Sequence, residues 1–283
     1  MSPARAPQIG IFDSGIGGLS VLRALRQTLP TARVSYIADT RYTPWGDRPT
    51  AWVIERSLCL GGWLIGDAAD LVLVACNTAT TQAMAALRAR WPDQRFVGVE
   101  PGIKPAVALS RNGRVAVMGT LATLASARFD ALADAHATGT QLLRLPCPGL
   151  VEAIEACCAG DPAIADAAVT GLHAILDRAA ERVLTAGADT VVLACTHYPL
   201  VADALAQRLG PGVVLVDTAD AVVRQVLRML GDAGMAQVPP PLVAPMPRLL
   251  STGDPATLLR AAQRWIDPAA AVERKHPAQP IPP

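Results

Sequence analysis

The sequence predicts an α/β protein made of two domains, each a mostly parallel sheet flanked by helices. Three observations support this fold class. Apolar strands alternate with helical segments along the chain, which is typical of parallel sheets covered on both faces. The 283 residues are enough for two modest cores. An apolar run that ends in Ala-Cys occurs twice, at 71–76 and 191–195, as in a weak internal repeat.

The first half of the chain predicts four strands, at 8–13, 34–38, 71–75 and 95–99. Helical patterns follow at 19–28, 51–65 and 78–90. Proline and glycine then occur together at Glu100-Pro101-Gly102, where we expect the chain to cross between the two domains.

The second half predicts strands at 114–118, 142–145, 190–194, 213–216 and 248–251. Helices are expected at 120–137, 150–159 and 163–185. A proline-rich stretch at 238–247 separates the last two strands. Five more prolines follow Trp265, so residues 268–283 are predicted to form a disordered tail.

Composition excludes several classes of function. The net charge is +1, which does not favour nucleic acid or an anionic membrane as a partner. No apolar run approaches the roughly 18 residues of a membrane span. The six cysteines show no disulfide spacing and no signal peptide precedes Ile9, so we expect a reduced cytoplasmic protein. Lys104 and Lys275 are the only lysines, and Lys275 lies in the predicted tail, so a pyridoxal phosphate Schiff base is not expected.

Cys76 and Cys195 each follow a buried strand, at the sheet edge where α/β proteins bind ligands. Each also precedes a predicted helix start, and helix N-termini lower the pKa of a thiol from about 8.5. Two thiols that face one cleft can remove a proton from one face of a carbon and return a proton to the other. Four cysteines are expected to be structural: Cys59, Cys147, Cys157 and Cys158.

Two other kinds of chemistry fit the same residues. Cys76, Cys195 and His197 supply three possible zinc ligands, although the chain has no Cys-x-x-Cys and no His-x-x-x-His pair. A nucleophilic Cys-His dyad is also possible, with Asn77 or Asp13 orienting the imidazole. The dyad would leave the second strand-end cysteine without a role.

A glycine-rich turn, Asp13-Ser14-Gly15-Ile16-Gly17-Gly18, follows the first strand. A dinucleotide site, with Asp39 as the ribose acid, would need glycine at position 20, where the chain has Ser20. The turn better suits a small anion such as an amino acid carboxylate, bound by backbone N–H groups. The alternative is a tight βα turn with Asp13 as the helix cap.

These segments resemble the glutamate racemases. The resemblance rests on residues 9–22, 75–80, 99–102 and 194–200, and it continues in order from Ile9 to about Trp265. It implies a cofactor-independent enzyme of the aspartate/glutamate racemase fold, whose two domains are related by a pseudo-two-fold axis around the active site. The first domain would comprise 1–103 and 213–267, and the second 104–212.

The same resemblance implies roles for individual residues. Asp13 and His197 would assist the two thiols, and Glu152 would lie near His197. The family usually carries Pro-Tyr-Gly where this chain reads Pro44-Trp45-Gly46, so backbone contacts to substrate can persist while a phenol hydrogen bond is lost. The expected substrate contacts are Asp13, Ser14, Trp45, Gly46, Asn77, Thr78, Thr196 and His197.

The expected activity is interconversion of L- and D-glutamate, supplying D-glutamate for peptidoglycan. Cys76 would serve the D-isomer and Cys195 the L-isomer, with no cofactor and no metal. A homodimer is expected, with no nucleic acid or membrane partner. The alternatives are a racemase of another acidic amino acid, such as aspartate, and a non-catalytic amino acid binding protein.

Overall fold

The computed structural model describes residues 5–159, 162–231 and 244–275. Strands and helices alternate through these residues. The strands are β1 (Gln8–Asp13), β2 (Arg33–Ala38), β3 (Leu71–Val74), β4 (Arg95–Gly98), β5 (Arg114–Gly119), β6 (Gln141–Pro146), β7 (Thr190–Ala194), β8 (Val214–Val216), β9 (Arg248–Ser251) and β10 (Val272–Arg274). The helices are α1 (Leu19–Thr28), α2 (Thr50–Gly66), α3 (Asn77–Arg90), α4 (Ile103–Leu109), α5 (Leu121–Leu124), α6 (Ala127–His136), α7 (Leu150–Ala156), α8 (Pro162–Thr185), α9 (Ala202–Leu209), α10 (Ala219–Gly231) and α11 (Pro255–Trp265).

The first sheet has six parallel strands in the order β10-β9-β2-β1-β3-β4. Its central strands β1 and β3 are apolar and almost wholly buried, because helices cover both faces. Strands β9 and β10 come from the C-terminal part of the chain and extend the sheet beyond β2. We call this sheet and the helices packed on it the first lobe.

The second sheet has four parallel strands in the order β6-β5-β7-β8, and with its helices it forms the second lobe. Two parallel sheets flanked by helices confirm the predicted fold class. The predicted boundary at residue 213 is wrong for β8. Val214 pairs with Thr190, and its N–H donates to the carbonyl of Asp189, so this strand completes the second sheet before the chain returns to the first.

Two other predictions are corrected. The helix expected over 120–137 is divided into α5 and α6, because the Ser126 side chain accepts a hydrogen bond from the backbone N–H of Phe129 and starts a new helix. The tail expected to be disordered from 268 contains β10, which pairs with β9. Residues 276–283 of that tail lie outside the described residues, as does most of the proline-rich stretch at 238–247. None of the helices in the described ranges combines the length and apolarity needed to cross a bilayer.

Candidate active site

The two strand-end cysteines meet in one small cavity. Cys76 follows β3 in the first lobe and caps α3, and Cys195 follows β7 in the second lobe. Their exposed fractions are only 5% and 7%. The cavity between them has a volume of about 10 Å³, comparable to the space that one water molecule needs. The first lobe lines it with Ser14, Pro44, Trp45, Gly46, Cys76, Asn77 and Thr78, and the second with Thr120, Val151, Cys195, Thr196 and His197.

Asp13 ends β1 beside this cavity and is fully buried. Its carboxylate accepts hydrogen bonds from the backbone N–H groups of Ser14 (2.7 Å) and Gly18 (2.5 Å). The Thr196 hydroxyl, from the second lobe, donates to the same carboxylate over 3.2 Å. Burial raises the pKa of Asp13 to about 6, although the nearby charge of His197 and the two backbone hydrogen bonds oppose the rise.

Cys76 lies close to Ser14, with 3.8 Å between the sulfur and the hydroxyl oxygen. Burial raises the pKa of Cys76 well above its ordinary value, and the negative charge of Asp13 adds to the effect. A hydrogen bond from the backbone N–H of Ala79 in α3 works in the opposite direction but is outweighed. The expected lowering of this pKa at the helix N-terminus is therefore present but outweighed, and the pKa of Cys76 is raised overall.

Cys195 has an imidazole as its polar neighbour. The sulfur lies 3.9 Å from Nδ1 of His197, and Nε2 of the same ring lies 2.8 Å from Oε1 of Glu155. Burial by itself lowers the pKa of His197, but its hydrogen bonds to Cys195 and Glu155 and their negative charges raise it well above the ordinary value. A protonated imidazole at this position stabilises negative charge on the adjacent sulfur.

The carboxylate that pairs with His197 is Glu155 rather than the expected Glu152. Both residues lie on α7, but Glu155 is buried on the helix face turned toward the first lobe, whereas Glu152 is exposed. Glu152 borders a neighbouring cavity instead. The helical spacing carries the missed signal, because Val151, Ile154 and Glu155 share the buried face of α7 and Glu152 does not.

The remaining predicted contacts all lie at the cavity. Asn77 donates from Nδ2 to the carbonyl of Val99 over 3.2 Å, and among the described residues its Oδ1 has no hydrogen-bond partner. The hydroxyls of Thr78 and Thr120 lie 3.1 Å apart across the two lobes. Thr120 was not among the predicted site residues, because a threonine that caps a short helix has no distinctive sequence signal.

Trp45 is fully buried, and its ring packs edge-on against Trp52 with 5.6 Å between the ring centroids. Phe12 lies on another side of the same ring, at 6.4 Å. The indole therefore belongs to the apolar core of the first lobe, which also contains Cys76. The next residue, Gly46, lies close to the second lobe, since a Cβ built on it would be 3.1 Å from a side-chain carbon of Thr120.

The structure does not support the dinucleotide site that the sequence analysis considered. Asp39 is bound by Arg56 through two hydrogen bonds of 2.8 and 2.6 Å and by Thr252 at 2.7 Å, so its oxygens are engaged and do not form a ribose site.

Cys147, expected to be structural, is buried beside a second cavity of about 230 Å³ that shares four residues with the first. Within the described ranges, no group of three or more His, Cys, Asp or Glu side chains is placed to hold a metal ion.

Comparisons with known proteins agree on one family. The family model described as Asp/Glu/Hydantoin racemase matches residues 20–226. A glutamate racemase of Pseudomonas syringae pv. tomato is 42% identical over 235 residues, which are 83% of this chain and 82% of that protein. A glutamate racemase of Ectopseudomonas mendocina is 41% identical over 254 residues, which cover 90% of this chain and 92% of the relative.

Solved structures show the same likeness. Glutamate racemase RacE1 from Bacillus anthracis superimposes with a TM-score of 0.82 at 26% identity, covering 96% of this chain and 98% of that one. The Escherichia coli glutamate racemase, solved in complex with L-glutamate and the activator UDP-MurNAc-Ala, gives a TM-score of 0.79 at 32% identity. It covers 95% of this chain and 98% of its own.

Proposed function

Because this chain belongs to the Asp/Glu/Hydantoin racemase family, we propose that it interconverts L- and D-glutamate by proton transfer between the substrate and two cysteines. The observation that carries the proposal is the position of Cys76 and Cys195, one from each lobe, on the walls of a single buried cavity. Each thiol has its own polar neighbour, Asp13 near Cys76 and His197 near Cys195.

The reaction needs one sulfur as a base and the other as an acid. For L-glutamate, the Cys195 thiolate takes the α-proton, and the bonding electrons remain on the α-carbon. The Cys76 thiol then delivers its proton to the opposite face, which inverts the centre. The two protonation states exchange, and the reverse reaction uses the sulfurs in the opposite roles. The raised pKa of Cys76 favours the protonated form that the donor needs, and the His197 imidazole, bound to Glu155, lies beside Cys195.

Apart from His197, neutral groups would bind the charged substrate. Among the described residues that line the cavity there is no lysine or arginine, so hydroxyls and backbone N–H groups are the main donors available to both carboxylates. Asn77 offers the free Oδ1 as an acceptor for the ammonium group. Such fixed dipoles gain strength when water is excluded, and they need no reorganisation as charge develops on the α-carbon.

Glutamate can enter only if the closed cavity opens. A volume of about 10 Å³ is too small for glutamate. The lobes therefore separate to admit the substrate and close again before proton transfer. Closure removes water that would otherwise quench a carbanion, and opening of the lobes can limit turnover.

The wider context is also a proposal. A cytoplasmic racemase of this kind supplies D-glutamate for peptidoglycan, and we expect it to act as a homodimer. We also propose that the domains follow the two lobes, with the N-terminal and C-terminal segments together forming the first.

The direct test is a racemisation assay on metal-free protein treated with a chelator. We expect each enantiomer of glutamate to yield the other, as followed by chiral chromatography, at a rate the chelator does not change. Aspartate at equal concentration serves as the comparison substrate. Faster turnover of aspartate would reassign the substrate, and an absence of turnover with both amino acids would overturn the proposal.

A further inference from the structure

The glycine-rich turn between β1 and α1 touches the second lobe more closely than any side chain would allow. Gly15 and Gly17 are not among the residues with a left-handed backbone, so alanine could adopt their φ angles. Their importance lies in the space that they leave. A Cβ atom built on either would overlap atoms of the second lobe at distances that real Cβ atoms do not show.

At Gly15, the space is filled by the carboxylate of Glu155. A Cβ at this position would lie 1.9 Å from Oε1 of Glu155. The same oxygen accepts a hydrogen bond of 2.8 Å from the backbone N–H of Ile16. The turn that the sequence suggested for a small anion thus holds a carboxylate of the protein itself, and that carboxylate also holds His197.

At Gly17, the space is filled by the chain that follows Cys195. A Cβ here would lie 2.3 Å from Nδ1 of His197 and 2.7 Å from the backbone nitrogen of the same residue. The hydroxyl oxygen of Thr196 would also be 2.7 Å away. The Ser20 hydroxyl has two carbonyl oxygens within reach of its one proton, that of Gly17 at 2.9 Å and that of Thr196, in the second lobe, at 3.1 Å.

We propose that Gly15 and Gly17 are positioning residues of the racemase reaction. Because these glycines lack a side chain, Glu155 and the turn after Cys195 can pack directly against the first lobe at Gly15 and Gly17, and we call this contact the seat. The seat fixes the position of Cys195 relative to Cys76 when the lobes close. The inference rests on the proposed function. Neither glycine touches the reacting atoms, so both act through the residues that they seat.

The size of the effect follows from the reaction's geometry. Proton transfer requires both sulfurs to be correctly placed around one carbon, and a misplacement of 1 Å can cost about 100-fold in rate. Gly15→Ala forces Glu155 out of its seat, and Gly17→Ala pushes back the backbone next to Cys195. We expect each to lower kcat on the order of 100-fold in both directions. For Gly15→Ala the change in KM should be smaller, because Glu155 does not line the cavity. For Gly17→Ala, KM should rise as well, because Thr196 and His197 line the cavity and are displaced.

A double-mutant comparison tests this directly. Glu155→Ala removes the two carboxylate atoms that an alanine at 15 would strike and leaves only the Thr43 hydroxyl, at 3.0 Å. Adding Gly15→Ala to Glu155→Ala should therefore change kcat by less than about threefold. His197→Ala cannot relieve Gly17→Ala in the same way, because the backbone nitrogen and Thr196 still block the Cβ. Gly17→Ala should therefore lower both the free energy of unfolding and kcat, in the parent protein and in the His197→Ala variant alike. If the loss of kcat in the double variant equals the product of the losses in Gly15→Ala and Glu155→Ala, the proposal is overturned.

The matched control is Gly61→Ala in α2. Its Cβ would lie 2.9 Å from a Leu87 side-chain carbon inside the first lobe, so it crowds one lobe without touching the seat. We expect its kcat to stay within about twofold of the parent protein's. If Gly15→Ala does not fold, folding itself becomes the measurement: the double variant with Glu155→Ala lacks the obstructing carboxylate and should fold. A double variant that also fails to fold, while Glu155→Ala alone folds, would overturn the proposal.

The outcomes separate the two proposals. An unaltered protein that fails to racemise any acidic amino acid refutes the function. A protein that racemises, but whose Gly17→Ala variant matches Gly61→Ala in kcat, refutes the seating role alone. A racemising protein that loses kcat in Gly17→Ala, and loses it in Gly15→Ala only while Glu155 is present, supports both.

Discussion

Oε1 of Glu155 lies 2.8 Å from Nε2 of His197 and the same distance from the backbone nitrogen of Ile16. One carboxylate oxygen therefore joins the imidazole beside Cys195 to the turn that follows β1 in the other lobe. This relationship couples the electrostatics of the second thiol to the contact between the lobes.

Replacing Glu155 should impair catalysis far more than replacing Glu152. Glu155→Gln keeps the size of the side chain but removes the negative charge that favours a protonated His197, so we expect kcat to fall on the order of 10- to 100-fold. Glu152→Gln is the matched control, because this carboxylate is exposed. Steady-state kinetics in both directions measure the difference. Equal losses in the two variants would contradict the assignment of Glu155.

Each of the two thiols should be indispensable. Cys76→Ser and Cys195→Ser replace a sulfur by a far weaker base of similar shape, so racemisation should fall by at least about 1,000-fold, while thermal unfolding changes little. Cys157→Ser, at a partly buried thiol away from the cavity, should remain within about twofold of the parent. An active Cys76→Ser or Cys195→Ser protein would exclude the two-thiol mechanism.

Asp13 should make stability depend on pH in a defined direction. Its pKa rises from 3.8 in the unfolded chain to about 6 in the fold. A raised pKa means that its contribution to stability is present below pH 4 and is lost as the pH rises through 6. Asp13→Asn does not titrate, so relative to the parent it should gain about 3 kcal/mol between pH 4 and 7.

Urea unfolding of both proteins at several pH values measures this difference. A stability difference between Asp13→Asn and the parent that is independent of pH would show that burial does not perturb this carboxyl.

Removing one partner of the buried pair of Asp39 and Arg56 should strongly destabilise the protein. The carboxylate is fully buried and the guanidinium is 11% exposed. Arg56→Ala leaves an uncompensated buried charge and should cost about 3 to 5 kcal/mol in the free energy of unfolding. Adding Asp39→Asn removes that charge and should restore part of the loss, as measured by urea denaturation. A double variant less stable than Arg56→Ala would contradict this explanation.

Strands β1 to β9 and the helices α1, α2, α3, α7 and α8 could be predicted because local pattern decides them, whereas α4, α9, α10 and α11 were not predicted. The run Leu71–Val74 and the run Thr190–Ala194 are apolar throughout, and both are buried strands as predicted. Local pattern does not predict a strand that forms only because a segment distant in sequence pairs with it. Val272–Arg274 forms a strand because β9 offers a free edge, and the surrounding prolines gave no hint of that partner.

In the site, too, some features could be predicted from local sequence and others depend on segments distant in the chain. Cys76 and Cys195 could be located from their positions at strand ends, and both line the shared cavity. Helical spacing places Glu155, and not Glu152, on the apolar face of α7. The contact of that face with the first lobe depends on residues distant in sequence, so the partner of Glu155 could not be predicted. The pKa of Cys76 also depends on how deeply the folded protein buries the thiol, and this burial outweighs the lowering by the helix N-terminus that the sequence predicts.

The most direct measurement is the fate of the α-hydrogen when L-glutamate reacts in deuterated water and the reaction is stopped early. Mass and chirality are read together on the product and on the recovered substrate. Because separate sulfurs remove and deliver the proton, we predict one deuterium in the D-glutamate formed and almost none in the L-glutamate that remains. Inverted product that keeps the original hydrogen, or recovered substrate labelled as heavily as product, would contradict the account.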